Sequence, residues 1–143
     1  LSSFAKNGYF SRNNSAYWLR KKYIGIGPSA HSFDGSYRSW NVSNNSLYIK
    51  DISENKMFSG REKLSIIDKY NEYVMTGLRT KWGISLTHLE NNFGPYYKNN
   101  FETRIVKYVN TSLVVIKDDV FRTTIKGKFL ADGIASELFL INP

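Results

Sequence analysis

Tyr23-Ile-Gly-Ile-Gly-Pro-Ser-Ala-His-Ser-Phe-Asp-Gly-Ser-Tyr-Arg-Ser-Trp-Asn41 packs three glycines, a proline, a histidine and an arginine into nineteen residues. The apolar run Tyr23–Ile26 reads as a short buried strand. Gly25 and Gly27 let backbone or a ligand approach closely, and Pro28 ends the strand. Ser29, His31, Ser32, Asp34 and Arg38 follow at once. A strand that stops at glycines and then delivers polar side chains is how α/β proteins present groups at a sheet's carboxyl edge. The alternative is a plain Gly-Pro turn with no ligand. The stretch is not the dinucleotide-binding G-x-G-x-x-G, because Ala30 stands at its third glycine and no helical pattern opens there.

Outward from this stretch, the 143 residues suffice for one domain or one and a half small ones, and a chain of this size can bury a real core. Hydrophobic residues make up 41% and charged residues 22%, a globular rather than disordered composition. The net charge of +8 would suit nucleic acid, an anionic surface or an acidic ligand. The cations are scattered, with Arg20-Lys21-Lys22 the densest run, so a generally basic solvated surface explains the charge better. There is no cysteine, which excludes disulfides, thiolate zinc sites, cysteine nucleophiles and an iron–sulfur cluster ligated by these residues. Only His31 and His88 are available, too few for a histidine-rich metal site. No apolar run reaches the roughly 18 residues of a membrane span, and no signal-peptide pattern is present. The sequence opens on Leu1 in what reads as the middle of a motif, and is expected to be a piece of a longer protein.

Residues 1–43 alternate short apolar pieces with loops, Ser11–Ser15 among the loops, and show no complete helical pattern. Ser43–Lys56 has a weak helical pattern through Leu47, Ile49 and Ile52. Ser59 and Glu62 then form an S-x-x-E capping box ahead of Leu64, Ile67, Tyr70, Val74 and Leu78, one face of a helix ending near Lys81–Gly83. Gly83–Gly94 reads as a short helix, capped by Ser85 and closed by Gly94, with Pro95 starting the next helix on Tyr97, Phe101, Ile105 and Tyr108. Leu113–Lys117 and Val120–Ile125 read as a hairpin turned by Asp118-Asp119. A last helix over 126–140 carries Leu130, Ile134, Leu138 and Ile141.

Three helices followed by a two-stranded wing is the winged-helix order. One reading is a stand-alone nucleic-acid binder using Lys98, Arg104 and Lys107 on the third helix and Arg122 in the wing. The other is a packing module attached to an enzyme. The third helix favours the second reading, since Tyr96, Tyr97 and Phe101 stand where a recognition helix places Arg, Asn or Gln for base edges.

Five motifs occur in register: Ser3-Phe-Ala-Lys-Asn-Gly-Tyr9, Ser11-Arg-Asn-Asn-Ser-Ala-Tyr-Trp18, Tyr23-Ile-Gly-Ile-Gly-Pro-Ser-Ala-His-Ser32, Arg38-Ser-Trp-Asn41 and Asn71-Glu-Tyr-Val-Met-Thr-Gly-Leu-Arg79. Together they resemble the C-terminal portion of the oxygen-independent coproporphyrinogen III oxidase-like proteins of the radical-SAM superfamily, and within them the haem-chaperone branch. The resemblance implies a helix-rich α+β fold: a remnant of the last strand or strands of a partial (β/α) barrel and its connecting loops over 1–43, then a helical, winged-helix-like domain with a hairpin over 44–143. It implies a parent whose N-terminal barrel, a partner for these residues, carries a cysteine loop holding a [4Fe–4S] cluster capped by S-adenosyl-L-methionine. It further implies a tetrapyrrole, coproporphyrinogen III or haem, as substrate or cargo, and a cytoplasmic location. The fragment alone is expected to be inactive.

Carried over residue by residue, Ala5 would pack on S-adenosyl-L-methionine or be plain core. Gly25, Gly27 and His31 would lie beside the cofactor or tetrapyrrole cavity. For His31 a hydrogen-bonding role, axial haem ligation and a structural loop-capping role all stand. Arg38 would pair with a propionate or make an internal salt bridge. Tyr17 and Trp18, like Trp40, would stack on a macrocycle or fill a joint. One departure matters: the chaperone branch carries a histidine where Asn13 stands here, and Asn is a poor iron ligand beside imidazole.

Overall fold

The structure, a computed structural model, describes residues 4–56 and 58–141. Ser3 of the first motif lies outside them. The chain divides after Leu64 into two compact units, Ala5–Leu64 and Ser65 onward. The sheet of the first unit takes its last strand from residues 60–63.

The first unit opens with helix α1 (Arg12–Trp18), where the sequence pattern predicts a polar loop running into an apolar segment. Ser11 is its N-cap, its Oγ accepting from the Asn14 amide at 3.2 Å. Strands β1 (His31–Phe33), β2 (Tyr37–Trp40) and β3 (Gly60–Lys63) form an antiparallel sheet in that order. Asp34 makes the β1–β2 turn, its Oδ1 accepting from the Ser36 and Tyr37 amides at 2.8 Å each. Helix α2 (Asn45–Ser53) is capped by Asn44 and buries none of its residues.

Two expectations fail here. Tyr23–Ile26 is not a buried strand: Tyr23 alone bridges Phe33, while Ile24 is 69% and Ile26 85% exposed. Side chains rather than a neighbouring strand hold the segment's glycines. Likewise Ser59-x-x-Glu62 is not a capping box, because Gly60–Lys63 pairs with β2 across its length. The box sits six residues later, where Ser65 accepts from the Asp68 amide at 3.1 Å and Asp68 Oδ2 accepts from the Ser65 amide at 2.9 Å.

In the second unit, α3 (Ile66–Arg79) presents Tyr70, Val74 and Leu78 inward at helical spacing, all fully buried. The short strand β4 (Ile84–Ser85) follows, then α4 (Leu86–Phe93) and α5 (Pro95–Asn110). Ser85 caps α4, and Pro95 opens α5 behind Gly94 (φ +97), as the sequence predicts. Strands β5 (Val114–Lys117) and β6 (Val120–Thr123) close the hairpin on Asp118 and Asp119, both in the left-handed region at φ +51 and +64. That is the two-residue turn whose twist suits a hairpin. The sheet order is β4-β6-β5, so the wing has three strands rather than two. The core joins Tyr70, Val74 and Leu78 with Ile84, Leu89, Phe101, Ile105, Val114, Phe121, Ile134 and Leu138.

The predicted last helix is broken into α6 (Ile125–Phe129) and α7 (Ala131–Leu138). Gly127 lies so close to β5 that a Cβ would sit 1.9 Å from the Leu113 carbonyl oxygen. Downstream, Arg79 grips Asp132 in a bidentate pair, at 2.7 and 2.8 Å, and fixes α7 on α3. Leu130 parts the two helices. The buried stripe is therefore Ala131, Ile134, Ala135 and Leu138, while Leu130 and Ile141 are exposed.

Asp119 also ties the wing to α4. Its carboxylate accepts from the Thr87 amide at 2.9 Å and hydroxyl at 2.7 Å, and from Ser85 Oγ at 3.2 Å. These bonds, Thr87's first, hold the Asp119 carboxyl below its ordinary value of 3.8. A depressed carboxyl adds stability above the unfolded pKa and loses it as pH falls through the folded one. Asp119→Asn, which keeps a residue tolerant of the left-handed turn, should therefore lower the melting temperature at neutral pH. The deficit should close as pH falls below the ordinary carboxylate range, about 4, where both side chains are neutral. Melting curves of both proteins across pH test this; a deficit that does not change with pH counts against it.

Candidate functional site

The chemistry-bearing motifs of the first unit converge on one buried amide. Asn41 is 7% exposed, and its Nδ2 donates to the Gly27 carbonyl at 2.9 Å and the Gly25 carbonyl at 3.3 Å. On the same segment, the Gly25 amide donates to Ser32 Oγ at 2.9 Å and the Gly27 amide to the Tyr48 hydroxyl at 3.1 Å. The Asn41 amide donates to the Ala30 carbonyl at 3.0 Å, and the Ser29 amide to the Val42 carbonyl at 3.0 Å. Three side chains thus supply the bonds that a strand ladder would have supplied, which is why Gly25–Gly27 has fixed partners yet belongs to no sheet.

The two glycines have different reasons. A Cβ on Gly25 would lie 2.1 Å from the His31 carbonyl oxygen, so Gly25 is needed for packing within the knot. At Gly27 φ is +108, and nothing lies within 4 Å of where a Cβ would be. Gly27 therefore stands where its positive φ favours glycine and leaves open space where a side chain would be.

His31, Arg38 and Trp40 share one face of the sheet. The register sets His31 opposite Trp40 and Phe33 opposite Arg38, and residues two apart on a strand point the same way. The His31 and Trp40 rings are 6.1 Å apart at 38°. On β3, Glu62 lies opposite Arg38 and Gly60 opposite Trp40. Arg38 Nη1 meets Glu62 Oε1 at 3.5 Å, with side chains 35% and 49% exposed. The internal salt bridge expected as one alternative for Arg38 is present, but loose and wet. His31 is exposed and Trp40 half-buried.

The other sequence candidates lie outside the sheet strands. Ala5 is exposed, in irregular backbone. Tyr17 is on α1 and packs edge-on to Tyr23, ring centroids 4.7 Å apart. Trp18 ends α1, half-buried, and Asn13 is exposed on the same helix. Sequence reasoning did not single out Asn41, Ser32 and Tyr48 as the residues that shape the glycine segment. Asn41 closes the Arg38–Asn41 motif, but nothing in its identity says which carbonyls it will find.

The motif Asn71–Arg79 serves the second unit's fold. Asn71 exchanges two hydrogen bonds with the Leu140 backbone, at 2.8 and 2.9 Å. Gly77 makes room for Ile84, whose side chain would lie 2.4 Å from a Cβ there, and Arg79 holds Asp132. The nucleic-acid reading loses the cations it rests on. Lys98 is paired with Glu90 at 2.7 Å, Lys107 with Glu137, and Arg104 donates to the Phe139 and Glu137 carbonyls. Arg122 donates to the Lys81 carbonyl at 2.9 Å. Among the described residues no group of three or more His, Asp or Glu side chains is placed to hold a metal ion, and no helix is long and apolar enough to cross a membrane.

Residues 64–130 match the family model of the HemN C-terminal domain. The chain is 28% identical over 136 residues to the heme chaperone HemW of Bacillus subtilis, covering 94% of this chain and 36% of that one. It is 26% identical over 140 residues to HemW of Lactococcus lactis, covering 98% and 37% respectively. The chain thus spans about a third of the length of these curated relatives. Among solved structures, the coproporphyrinogen III oxidase HemN of Escherichia coli, a radical SAM enzyme, superposes with a TM-score of 0.63 at 18% identity. That match covers 83% of this chain and 28% of the other, and shows a shared fold.

Proposed function

We propose that this chain, a C-terminal portion of a HemN-like radical-SAM protein, forms part of a tetrapyrrole site and acts with its parent in haem or porphyrin metabolism. The observations that carry the proposal are the Asn41-centred knot, which fixes the Gly27 backbone, and a sheet face bearing His31, Arg38 and Trp40. In the parent, S-adenosyl-L-methionine and a [4Fe–4S] cluster supply the radical chemistry of the superfamily. The cluster's cysteines belong to other parts of the parent, since these residues contain none. What this chain supplies is position: Gly27 admits a ligand against the main chain, Gly25 keeps that segment against the His31 carbonyl, Ala5 packs on S-adenosyl-L-methionine, and Arg38 offers a guanidinium to a propionate. Tyr17 and Trp18 supply aromatic surface on α1. The unit from Ser65 onward serves as a packing module.

Of the two activities open to such a parent, carrying haem is favoured over oxidising coproporphyrinogen III, because heme chaperones match almost the whole chain. Asn13 cannot serve as the iron ligand that the chaperone branch places there, so His31 is the candidate within these residues. The test is a haem titration of the full-length protein followed by its Soret band, with coproporphyrinogen III turnover assayed after cluster reconstitution. Haem binding with a shifted band, altered in His31→Ala, and no turnover is the expected result. Turnover without a haem spectrum would make the parent an oxidase. Absence of both would sink the tetrapyrrole reading.

A further inference from the structure

We propose that Asn7-Gly8 is a self-modifying site, at which the Gly8 amide nitrogen attacks the Asn7 carboxamide and converts the asparagine to aspartate and isoaspartate. The proposal is independent of the tetrapyrrole reading, which uses only Ala5 of this first motif.

The chemistry needs a backbone amide that can reach the side-chain carbon of the residue before it. The Gly8 nitrogen forms a bond to Asn7 Cγ, the Cγ–Nδ2 bond breaks, and the Gly8 amide proton leaves with Nδ2 as ammonia. A cyclic imide remains. Water opens it at either carbonyl, giving aspartate or, with the main chain now running through the side chain, isoaspartate. Nothing is oxidised or reduced, and water is the only co-reactant.

Three features of a fold block this attack: a hydrogen bond on the attacking amide, a Cβ on the attacking residue, and backbone held in a helix or strand. None is present here. Asn7 and Gly8 are exposed and are the central residues of a turn, closed by the Tyr9 amide donating to the Lys6 carbonyl at 3.0 Å. Neither the Gly8 amide nor the Asn7 carboxamide is hydrogen-bonded to a described residue. Gly8 has φ +85, which the third position of a type II turn requires, and nothing lies within 4 Å of where a Cβ would be. Type I and type II turns differ chiefly by turning the central peptide over, and glycine allows both. That flip keeps the Lys6–Tyr9 bond and sweeps the Gly8 nitrogen past the Asn7 side chain.

The other described asparagines are blocked. After Asn13 and Asn14, the attacking amides would be those of Asn14 and Ser15, which donate to Ser11 Oγ at 3.2 Å and the Ser11 carbonyl at 3.0 Å. After Asn55 and Asn110, the Lys56 amide donates to the Asp51 carbonyl at 2.8 Å and the Thr111 amide to the Lys107 carbonyl at 3.2 Å. Asn71, Asn91, Asn92, Asn99 and Asn100 lie inside α3, α4 and α5, where the next amide belongs to the helix ladder. Asn44 spends its side chain on capping α2, and Asn41 spends its own on two carbonyls. Asn45 is the informative comparison. Ser46 follows it in the first turn of α2, where an amide has no ladder partner, but Ser46 carries a Cβ and helical backbone.

Conversion replaces a neutral amide with a carboxylate and lowers the net charge of +8 by one. The isoaspartyl product also inserts a methylene into the backbone of the turn, which breaks the register of the Lys6–Tyr9 bond. The test holds the full-length protein in mildly alkaline buffer, where the attacking amide loses its proton more readily. Peptide mapping by mass spectrometry, with fragmentation that separates aspartate from isoaspartate, reads each asparagine. The Asn7 peptide should gain the mass of an amide-to-acid exchange in most molecules before any other asparagine peptide changes, that of Asn45 included. Isoelectric focusing should show a new band one charge more acidic. Asn7→Gln should abolish that band, since its longer side chain must close a larger and slower ring. Gly8→Ala should slow its appearance, because a Cβ crowds the nitrogen. An Asn7 that stays an amide while another asparagine converts overturns the proposal. An Asn7 that converts only once the protein is unfolded in urea overturns it as well, since the folded turn would then be shielded.

Discussion

Phe101→Ala should cost the Ser65-onward unit about 3–5 kcal/mol, enough to unfold most of a domain of this size at ambient temperature. The ring is fully buried on α5 and meets Phe121 of β6 edge-on, centroids 5.4 Å apart. It therefore joins the helical layer to the wing. Its neighbours Ile105, Val114 and Leu89 are each 0–1% exposed. Ile105 is fixed on the same helix, Leu89 on α4 and Val114 on β5, so they cannot close over the missing ring. The loss combines transfer of the ring to water with a cavity that the packed surroundings leave open. Phe101→Leu keeps most of the volume and should cost less than about 1.5 kcal/mol. Urea unfolding followed by near-ultraviolet circular dichroism gives both values from the shift in midpoint at constant slope. A loss below about 1 kcal/mol for the alanine variant would mean that the wing and helices do not share one core.

That core was readable because burial leaves a period in the sequence. Tyr70, Val74 and Leu78 repeat at helical spacing, and so do Phe101, Ile105 and Tyr108. Ser85, Gly94 and Pro95 punctuate them, and a physical reason stands behind each mark. The hairpin turn was equally plain, since two adjacent aspartates tolerate the left-handed conformation that it needs. The errors fall where tertiary contacts outvote local pattern. Ser59-Gly-Arg-Glu62 spells a capping box, yet Gly60–Lys63 gains more as a third strand beside β2, and the same device recurs at Ser65-Ile-Ile-Asp68. Residues 126–140 spell one helix. They fold as two, parted at Leu130, and Gly127 in the first lies against the Leu113 carbonyl, a contact no periodicity can announce.

The first unit was harder to read for a related reason. Ile24 and Ile26 look like a buried strand by composition alone, and both stand in water. Their apolar character is not used by the residues described. Of the candidate site, the sequence marked Gly25, Gly27, His31 and Arg38, because glycine, histidine and arginine carry their chemistry in their names. It did not mark Asn41 or Tyr48, whose roles depend on which backbone groups they reach sixteen and twenty-one residues away. The sheet face followed from register, and register depends on β3, which was misread as a helix start.

Asn41→Ala should release the Gly25–Gly27 segment while leaving the second unit intact. Its side chain is the shared donor to two carbonyls, and the Gly27 carbonyl also accepts a longer bond from the Ala30 amide at 3.3 Å. Truncation removes the Asn41 donor from both, a cost of about 1–3 kcal/mol for an acceptor left without a partner that water cannot reach. Asn41→Asp is the sharper variant. It preserves shape, but at neutral pH it sets a carboxylate against two carbonyl oxygens, replacing attraction with repulsion. Hydrogen exchange should then show faster amide exchange at Gly25 and Gly27, whose partners Ser32 and Tyr48 hold them only while the segment keeps its path. The amides of α3 and α5 should be unchanged. Porphyrin affinity of the full-length protein should fall with the same variants, because Gly27 loses the fixed backbone that admits a ligand. Unaltered exchange at Gly25 and Gly27 in both variants would mean that the remaining anchors of this loop, among them the Tyr23–Phe33 bridge and the Ser32 and Tyr48 bonds, suffice without the amide. Asn41 would then be a buried polar residue of the sheet and no part of the site.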